Sequence, residues 1–93
     1  GKFTWIGWPE IRKLTMWKCL DFGADLVCCT IDYERFGAMK MFTVNEEMKG
    51  FDDLDQAFGS RLSGYNTNWR LSVILPLHEN NVTVVYLKQE TVY

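Results

Sequence analysis

The sequence is poor in the residues that build most catalytic and metal sites. It contains two prolines, one histidine and three cysteines in 93 residues. Cys28 and Cys29 are adjacent, so in a strand they point to opposite faces and cannot bridge each other, and Cys19 leaves an odd count. The single histidine, His78, and the lack of a C-x₂-C or H-x₃-H spacing disfavour a structural zinc site. We interpret the cysteines as small buried hydrophobic residues in a reducing compartment.

Long apolar runs and clusters of basic residues are also missing. No stretch approaches the roughly 20 apolar residues that span a bilayer, and no charged-then-apolar leader opens the chain. The formal net charge is −2 and the pI is about 5.3, which disfavours nucleic-acid binding because that depends on clustered Lys and Arg. We therefore expect a cytoplasmic protein without membrane or nucleic-acid partners, in which the sequon at Asn81 is only a turn asparagine.

The apolar content is that of a packed protein. Hydrophobic residues make up 47% of the chain and aromatic residues 15%, far from the composition of disordered segments. The length suits a single small core, and no repeat, linker or low-complexity segment divides the sequence. We predict one α+β domain over residues 1–93.

Alternating apolar residues predict an antiparallel sheet. Residues 11–20, 26–34 and 39–45 read as strands separated by turn residues at 21–25 and at Gly37, and a three-stranded meander connects them most economically. In the first of these strands, Leu14, Met16 and Lys18 alternate with Thr15, Trp17 and Cys19. In the second, the residues predicted to share one face are Val27, Cys29, Ile31 and Tyr33.

Two further strands complete the predicted sheet. Residues 3–6 read as an N-terminal strand that enters a tight corner at Pro9. Residues 82–87 are strongly β-branched, which predicts a buried or central C-terminal strand.

One amphipathic helix is predicted over about 51–62. Phe51, Leu54, Phe58 and Leu62 form a stripe at helical period that covers one face of the sheet. Asp52 is the predicted N-terminal cap. Residues 69–75 remain ambiguous: Trp69, Ser72 and Val73 suit the inner face of a short helix, whereas Leu71, Val73 and Leu75 alternate as in a strand.

Acidic residues are concentrated just before and within the start of this helix. Five carboxylates lie within ten residues, and they are Glu46, Glu47, Asp52, Asp53 and Asp55. Acidic groups in a first helical turn are stabilised by the helix dipole, which accounts for only some of them. The spacing does not match a calcium loop, so we predict no metal site. The two remaining interpretations are a solvated charged face and a partner-binding surface, to which an exposed Trp8 beside Pro9 would add an aromatic anchor.

A catalytic constellation is not apparent. No pattern brings a nucleophile, a base and an orienting acid together, so we expect no enzymatic activity, no catalytic residue and no cofactor. An enzyme would require His78 or Cys19 to lie in one cleft with suitable partners.

Several short motifs resemble those of a family of small uncharacterised bacterial proteins. They are Trp8-Pro9-Glu10-Ile11, Asp25-Leu26-Val27-Cys28, Val44-Asn45-Glu46-Glu47-Met48-Lys49-Gly50-Phe51, and Trp69 to Val84 with Val73, Pro76 and Asn81-Val82-Thr83-Val84. The chain departs from the family pattern at His78, where the pattern has Phe. Small acidic proteins of this kind are similar to immunity proteins, which neutralise a toxin by covering its site, and this similarity is one of size and charge.

These observations lead to one main functional hypothesis. We expect a non-enzymatic, cytoplasmic bacterial binding protein of the immunity type, whose carboxylates meet a basic surface on a toxin and accelerate association. The alternative is a small-molecule or regulatory domain with a pocket lined by Trp and by Met39, Met41 and Met48. Exposed strand edges would also allow a homodimer.

Overall fold

Four antiparallel strands form the framework of the part of the chain that the structure describes: β1 (Ile11–Asp21), β2 (Ala24–Arg35), β3 (Ala38–Asn45) and β4 (Thr83–Leu87). Their order in the sheet is β3-β2-β1-β4. The computed structural model describes residues 6–21, 24–75 and 81–89. A 3₁₀ turn (Trp8–Glu10) precedes the sheet, and helices α1 (Phe51–Arg61) and α2 (Arg70–Ile74) connect β3 to β4. The α+β class and the three-stranded meander are confirmed.

The alternation of residues in β1 and β2 decides which face of the sheet is buried. Leu14, Met16 and Lys18 all lie inside, and the four residues of β2 that were predicted to share one face are buried with them. The two helices cover this inner face, so the core joins strand residues to Phe51, Phe58, Trp69 and Val73. Cys28 and Cys29 are buried, which confirms their interpretation as small buried residues, whereas Cys19 is only partly buried. None of the three thiols is in a disulfide.

The turn between β2 and β3 is a tight two-residue connection. Arg35 pairs with Ala38, and Phe36 and Gly37 both have positive φ, 53° and 76°. Such primed turns match the right-handed twist of the strands, and Gly37 adopts this conformation without a steric penalty. The predicted reversal at Gly37 is therefore confirmed. Residues 22–23, which belong to the turn predicted over 21–25, lie outside the described residues.

Helix α1 begins at Phe51, as predicted, but its cap differs from the prediction. Its N-cap is Gly50, with φ of 91°, and no side chain caps the helix. The predicted capping role of Asp52 is wrong because Asp52 already lies inside the first turn, where its charge faces the positive end of the helix dipole. The apolar stripe is confirmed, since Phe51, Phe58 and Leu62 are buried.

Two other predictions are decided by the structure. Residues 70–74 form a helix, with Trp69 and Val73 fully buried, so the helical alternative is confirmed. The predicted inward position of Ser72 is wrong, because this residue is exposed. The expectation that the last strand is buried or central is wrong: β4 is an edge strand in which Val84 and Leu87 are exposed and only Val85 is buried. Its β-branched residues fit a half-buried pleated surface equally well.

Some predictions cannot be compared with the described part of the chain. The N-terminal strand predicted over 3–6 falls almost wholly outside it, as do Pro76 and His78. Within the described residues, no helix is long and apolar enough to cross a membrane.

Candidate functional site

The segment between β3 and α1 is held to the sheet by Glu46. Its backbone N–H donates to the Val27 carbonyl at 2.9 Å, and its carboxylate Oε1 accepts from the Val27 N–H, also at 2.9 Å. The side chain thus takes the place of a backbone carbonyl in the next step of the ladder. Glu46 therefore fixes the point at which β3 ends and the acidic segment begins.

A compact turn follows. The Asn45 side-chain Oδ1 accepts from the Glu47 N–H at 2.9 Å, and the Asn45 carbonyl accepts from the Met48 N–H at 3.0 Å. This is an Asx turn, which asparagine favours because its side chain imitates a backbone carbonyl. Gly50 then turns the chain into α1, where Phe51 is buried and anchors the segment to the core.

The exposed carboxylates form what we call the acidic surface, defined as Glu46, Glu47, Asp52 and Asp53. All four residues are exposed, and Glu46, Asp52 and Asp53 line a shallow depression of about 260 Å³ together with Met48, Gly50 and Phe51. The Arg70 Nη2 lies 3.7 Å from Asp52 Oδ1, but the Asp52 side chain is 84% exposed, so solvent screens this pair. The structure thus places four of the predicted binding residues on one rigidly anchored segment.

Asp55, the fifth predicted carboxylate, lies elsewhere. Its side chain is only 17% exposed. Oδ1 accepts hydrogen bonds from the Tyr65 hydroxyl at 2.5 Å and from the Trp69 indole Nε1–H at 3.0 Å, while Oδ2 faces Arg70 Nη2 at 3.2 Å. Both oxygens already have partners inside the protein. The geometry gives Asp55 the role of joining α1 to the loop and helix that follow.

The same cluster changes the acidity of its neighbours. Burial, followed by the hydrogen bond to Asp55, raises the pKa of Tyr65 above its usual value. Burial also raises the pKa of Cys29 to about 12, with a further contribution from the Asp55 charge. These two groups are therefore neutral at physiological pH, as a donor to a carboxylate and as a core thiol.

Trp8 packs against the protein instead of standing beside the acidic surface. Its ring meets Phe58 edge to face at 6.0 Å between centroids, and the Arg61 guanidinium lies 5.9 Å from its ring centroid. Both contacts belong to the C-terminal half of α1, whereas Asp52 and Asp53 lie in its first turn. Asp52 and Phe58 are six residues apart in the helix, which corresponds to about 9 Å along its axis. Trp8 is thus a partly buried residue at the other end of the helix.

Lys18 is the residue whose environment the sequence reasoning missed. It is 1% exposed, and its Nζ donates to the Ile74 carbonyl at the C-terminus of α2 at 2.7 Å and lies 3.5 Å from Asp25 Oδ2. A cation at a helix C-terminus is favourable because it meets exposed carbonyls and the negative end of the dipole. The signal available in the sequence was the alternation of β1, which places Lys18 on the same face as Leu14 and Met16.

The methionines of the alternative hypothesis lie at the surface. Met39 is 60% exposed and Met41 is 70% exposed. Met39 borders an open groove of about 490 Å³ in which charged residues predominate, and its other lining residues are Arg12, Lys13, Asp32, Glu34, Leu87, Lys88 and Gln89. Of the Trp and Met residues that the alternative invokes, only Met39 lines this groove. His78 lies outside the described residues, so a cleft shared by Cys19 and His78 stays a prediction. The described residues include no group of three or more His, Cys, Asp or Glu side chains arranged to hold a metal.

Comparison with known protein families, with curated proteins and with solved structures finds no match to this chain. The resemblance of its motifs to small bacterial proteins therefore remains a prediction.

Proposed function

We propose that the protein is a non-enzymatic binding protein that engages the basic surface of a protein partner through the acidic surface. The observation that supports this most directly is the anchoring of Glu47, Asp52 and Asp53. Glu47 follows the Glu46–Val27 ladder step, and Asp52 and Asp53 follow the buried Phe51 in the first turn of α1, so the backbone that carries these charges is anchored. The ion pair between Arg70 and Asp52, at 3.7 Å, is exposed to solvent. Preorganised charge of one sign increases the rate of encounter with an oppositely charged partner.

The finer proposal is an immunity-type role in a bacterial cytoplasm. A small acidic protein that covers the substrate cleft of a toxin, for example a nuclease with a basic cleft, uses this kind of surface. The free thiols Cys19, Cys28 and Cys29 suit a reducing compartment. Glu46 contributes to the surface mainly by holding it in place, and Asp55 by holding α1 to the rest of the fold.

The test measures binding to the product of the reading frame adjacent to this gene, by calorimetry and by stopped-flow association. Glu47→Gln with Asp53→Asn removes two negative charges from the acidic surface. Ser60→Lys with Ser63→Lys is the matched control, because it changes the net charge by the same amount at exposed positions near the other end of α1. We expect the first pair to slow association roughly tenfold at low salt and the control pair to have a much smaller effect.

Two results would contradict the proposal. One is the absence of binding at micromolar concentration. The other is binding whose rate is the same in both double variants and does not respond to salt.

A further inference from the structure

Within the described residues, the backbone of β3 has an open hydrogen-bonding edge. The Glu46 N–H bonds to Val27, and the pairs of an antiparallel ladder alternate, so Val44, Phe42, Lys40 and Ala38 direct their backbone groups towards β2. The intervening residues direct theirs away from the sheet. Asn45 confirms this alternation, because its N–H points to Met48 Sδ at 3.3 Å and its carbonyl accepts from the Met48 N–H at 3.0 Å, both outside the ladder.

Three residues of β3 are left with outward backbone groups. The loop uses the groups of Asn45, so the N–H and C=O of Met39, Met41 and Thr43 form the open edge. No described residue hydrogen bonds to these six groups. Unpaired groups in a row form a template for another strand. The opposite edge of the sheet is shorter and partly occupied, since the Asn66 N–H donates to the Val85 carbonyl of β4 at 2.8 Å.

A second copy of this chain is a poor occupant of the open edge. An antiparallel pair of β3 strands that used all six groups would place Met41 opposite the same residue of the other copy. The two Lys40 side chains would then be diagonal neighbours on one face, at roughly 7–8 Å, and would repel each other. A lysine on an edge strand is a known device against such pairing.

Charge complementarity instead favours a strand from a basic protein. Glu46 and Glu47 of the acidic surface follow β3 directly, at the end of the open edge. A strand added antiparallel to β3 begins at this end, so its N-terminal side chains lie closest to the carboxylates. Met39 and Met41 present exposed apolar side chains along the same edge, and methionine adapts its shape to varied apolar neighbours.

We propose that β3 binds an extended segment of the protein partner as an additional antiparallel strand. The segment pairs with the backbone of Met39, Met41 and Thr43, and a Lys or Arg at its N-terminal end meets Glu47. This inference rests on the proposed function, because it specifies how the partner engages the acidic surface. Strand addition derives affinity from main-chain hydrogen bonds and specificity from alternate side chains.

The experiment uses a display library of random nine-residue peptides panned on the whole protein, followed by fluorescence anisotropy with enriched synthetic peptides. We expect enriched sequences to have a basic residue in their N-terminal half and β-branched or apolar residues at alternate positions. Two sets of peptides are N-methylated, one at the odd-numbered residues and one at the even-numbered residues. The set methylated at the residues whose N–H groups face β3 should bind at least tenfold more weakly, whereas the other set should bind almost normally. The N-methyl groups leave the protein itself unchanged, so misfolding cannot explain a loss.

Two protein variants complete the design. Met41→Pro removes an outward N–H without removing a bond to β2, and proline is tolerated on edge strands, so it should fold and lose the peptide. Glu47→Gln with Asp53→Asn should weaken binding and reduce its dependence on salt. Strand addition is overturned if the library enriches no peptide. It is also overturned if N-methylation at odd-numbered and at even-numbered residues changes the affinity by the same factor.

The two proposals fail separately in this design. If affinity depends on which alternate residues are N-methylated but not on Glu47→Gln with Asp53→Asn, strand pairing at the edge is supported and a role of the acidic surface in this binding is overturned. If the charge variant weakens binding but both sets of N-methylated peptides bind equally, strand addition is overturned and the proposed function is still supported.

Discussion

Glu46 and Val27 exchange two hydrogen bonds of 2.9 Å, one through the Glu46 backbone and one through its carboxylate. The sheet is thereby extended by one step beyond β3 with a side chain as the acceptor. We expect Glu46→Gln to retain this bond and to leave the free energy of unfolding nearly unchanged. Glu46→Ala should lower it by about 1 kcal/mol because the Val27 N–H loses its partner. Urea unfolding measures both, and equal stability of the two variants would contradict the structural role.

Asp55 should matter more for stability than any other carboxylate of the acidic segment. Asp55→Ala leaves the buried Tyr65 hydroxyl and Trp69 indole N–H without an acceptor, so we expect a loss of about 2–4 kcal/mol. Tyr65→Phe, the control, removes one of these bonds and should cost about 1 kcal/mol. Chemical unfolding followed by tryptophan fluorescence gives both values. A smaller loss for Asp55→Ala than for Asp53→Ala would show that the network contributes little.

Lys18 gives a prediction about a buried cation. Lys18→Met preserves most of the side-chain volume but removes the donor to the Ile74 carbonyl and the charge beside Asp25. Removal of one member of a buried pair usually destabilises a protein, and we expect about 1–3 kcal/mol here. Adding Asp25→Asn should recover part of the loss, because it removes the charge that had faced Lys18. A double variant less stable than Lys18→Met would contradict this coupling.

Glu10 predicts how stability depends on pH. The Arg35 side-chain hydrogen bonds, followed by the Gly7 N–H, lower the pKa of Glu10 from 4.5 to about 2. Because the folded pKa lies below the unfolded one, the stabilisation is complete above pH 4.5 and is lost as the pH falls towards 2. Glu10→Gln should therefore be less stable than the wild type at pH 7, and the difference should shrink at pH 3. Urea midpoints at the two pH values test this, and a constant difference would refute it.

The three thiols should differ in reactivity. Cys29 is fully buried with a pKa of about 12, and burial also raises the pKa of Cys28, whereas Cys19 is only partly buried. Only the thiolate is nucleophilic, so iodoacetamide at pH 8 should label Cys19 alone in the folded protein. All three should react in urea. Mass spectrometry of the digested protein identifies the labelled sites, and rapid native labelling of Cys29 would be inconsistent with its burial.

The strands of the meander were predictable because their faces differ in solvation. Leu14, Met16 and Ile31 recur at a period of two, and the reversal at Gly37 requires a backbone conformation that glycine provides without strain. The cap of α1 was less predictable than its start. Asp52 has the chemistry of a cap, but the left-handed Gly50 occupies the cap position and the helix begins at the buried Phe51.

The position of β4 in the sheet was not readable from its residues. A β-branched segment fits a central or an edge strand, and only its pairing with β1 places it at the edge. The role of Asp55 was hidden for the same reason. Its hydrogen-bond partners Tyr65 and Trp69 are 10 and 14 residues away in sequence, and no local pattern links them.

The sequence by itself determined the alternation of the strands, the apolar stripe of the helix and the concentration of carboxylates between them, because each depends on neighbouring residues and on local periodicity. Only the tertiary structure decided which carboxylates face solvent and which backbone edge stays open. Those properties arise from long-range pairing: Glu46 is fixed by Val27, Asp55 is enclosed by Trp69, and Met41 lies on an edge because no other described strand adds beyond β3.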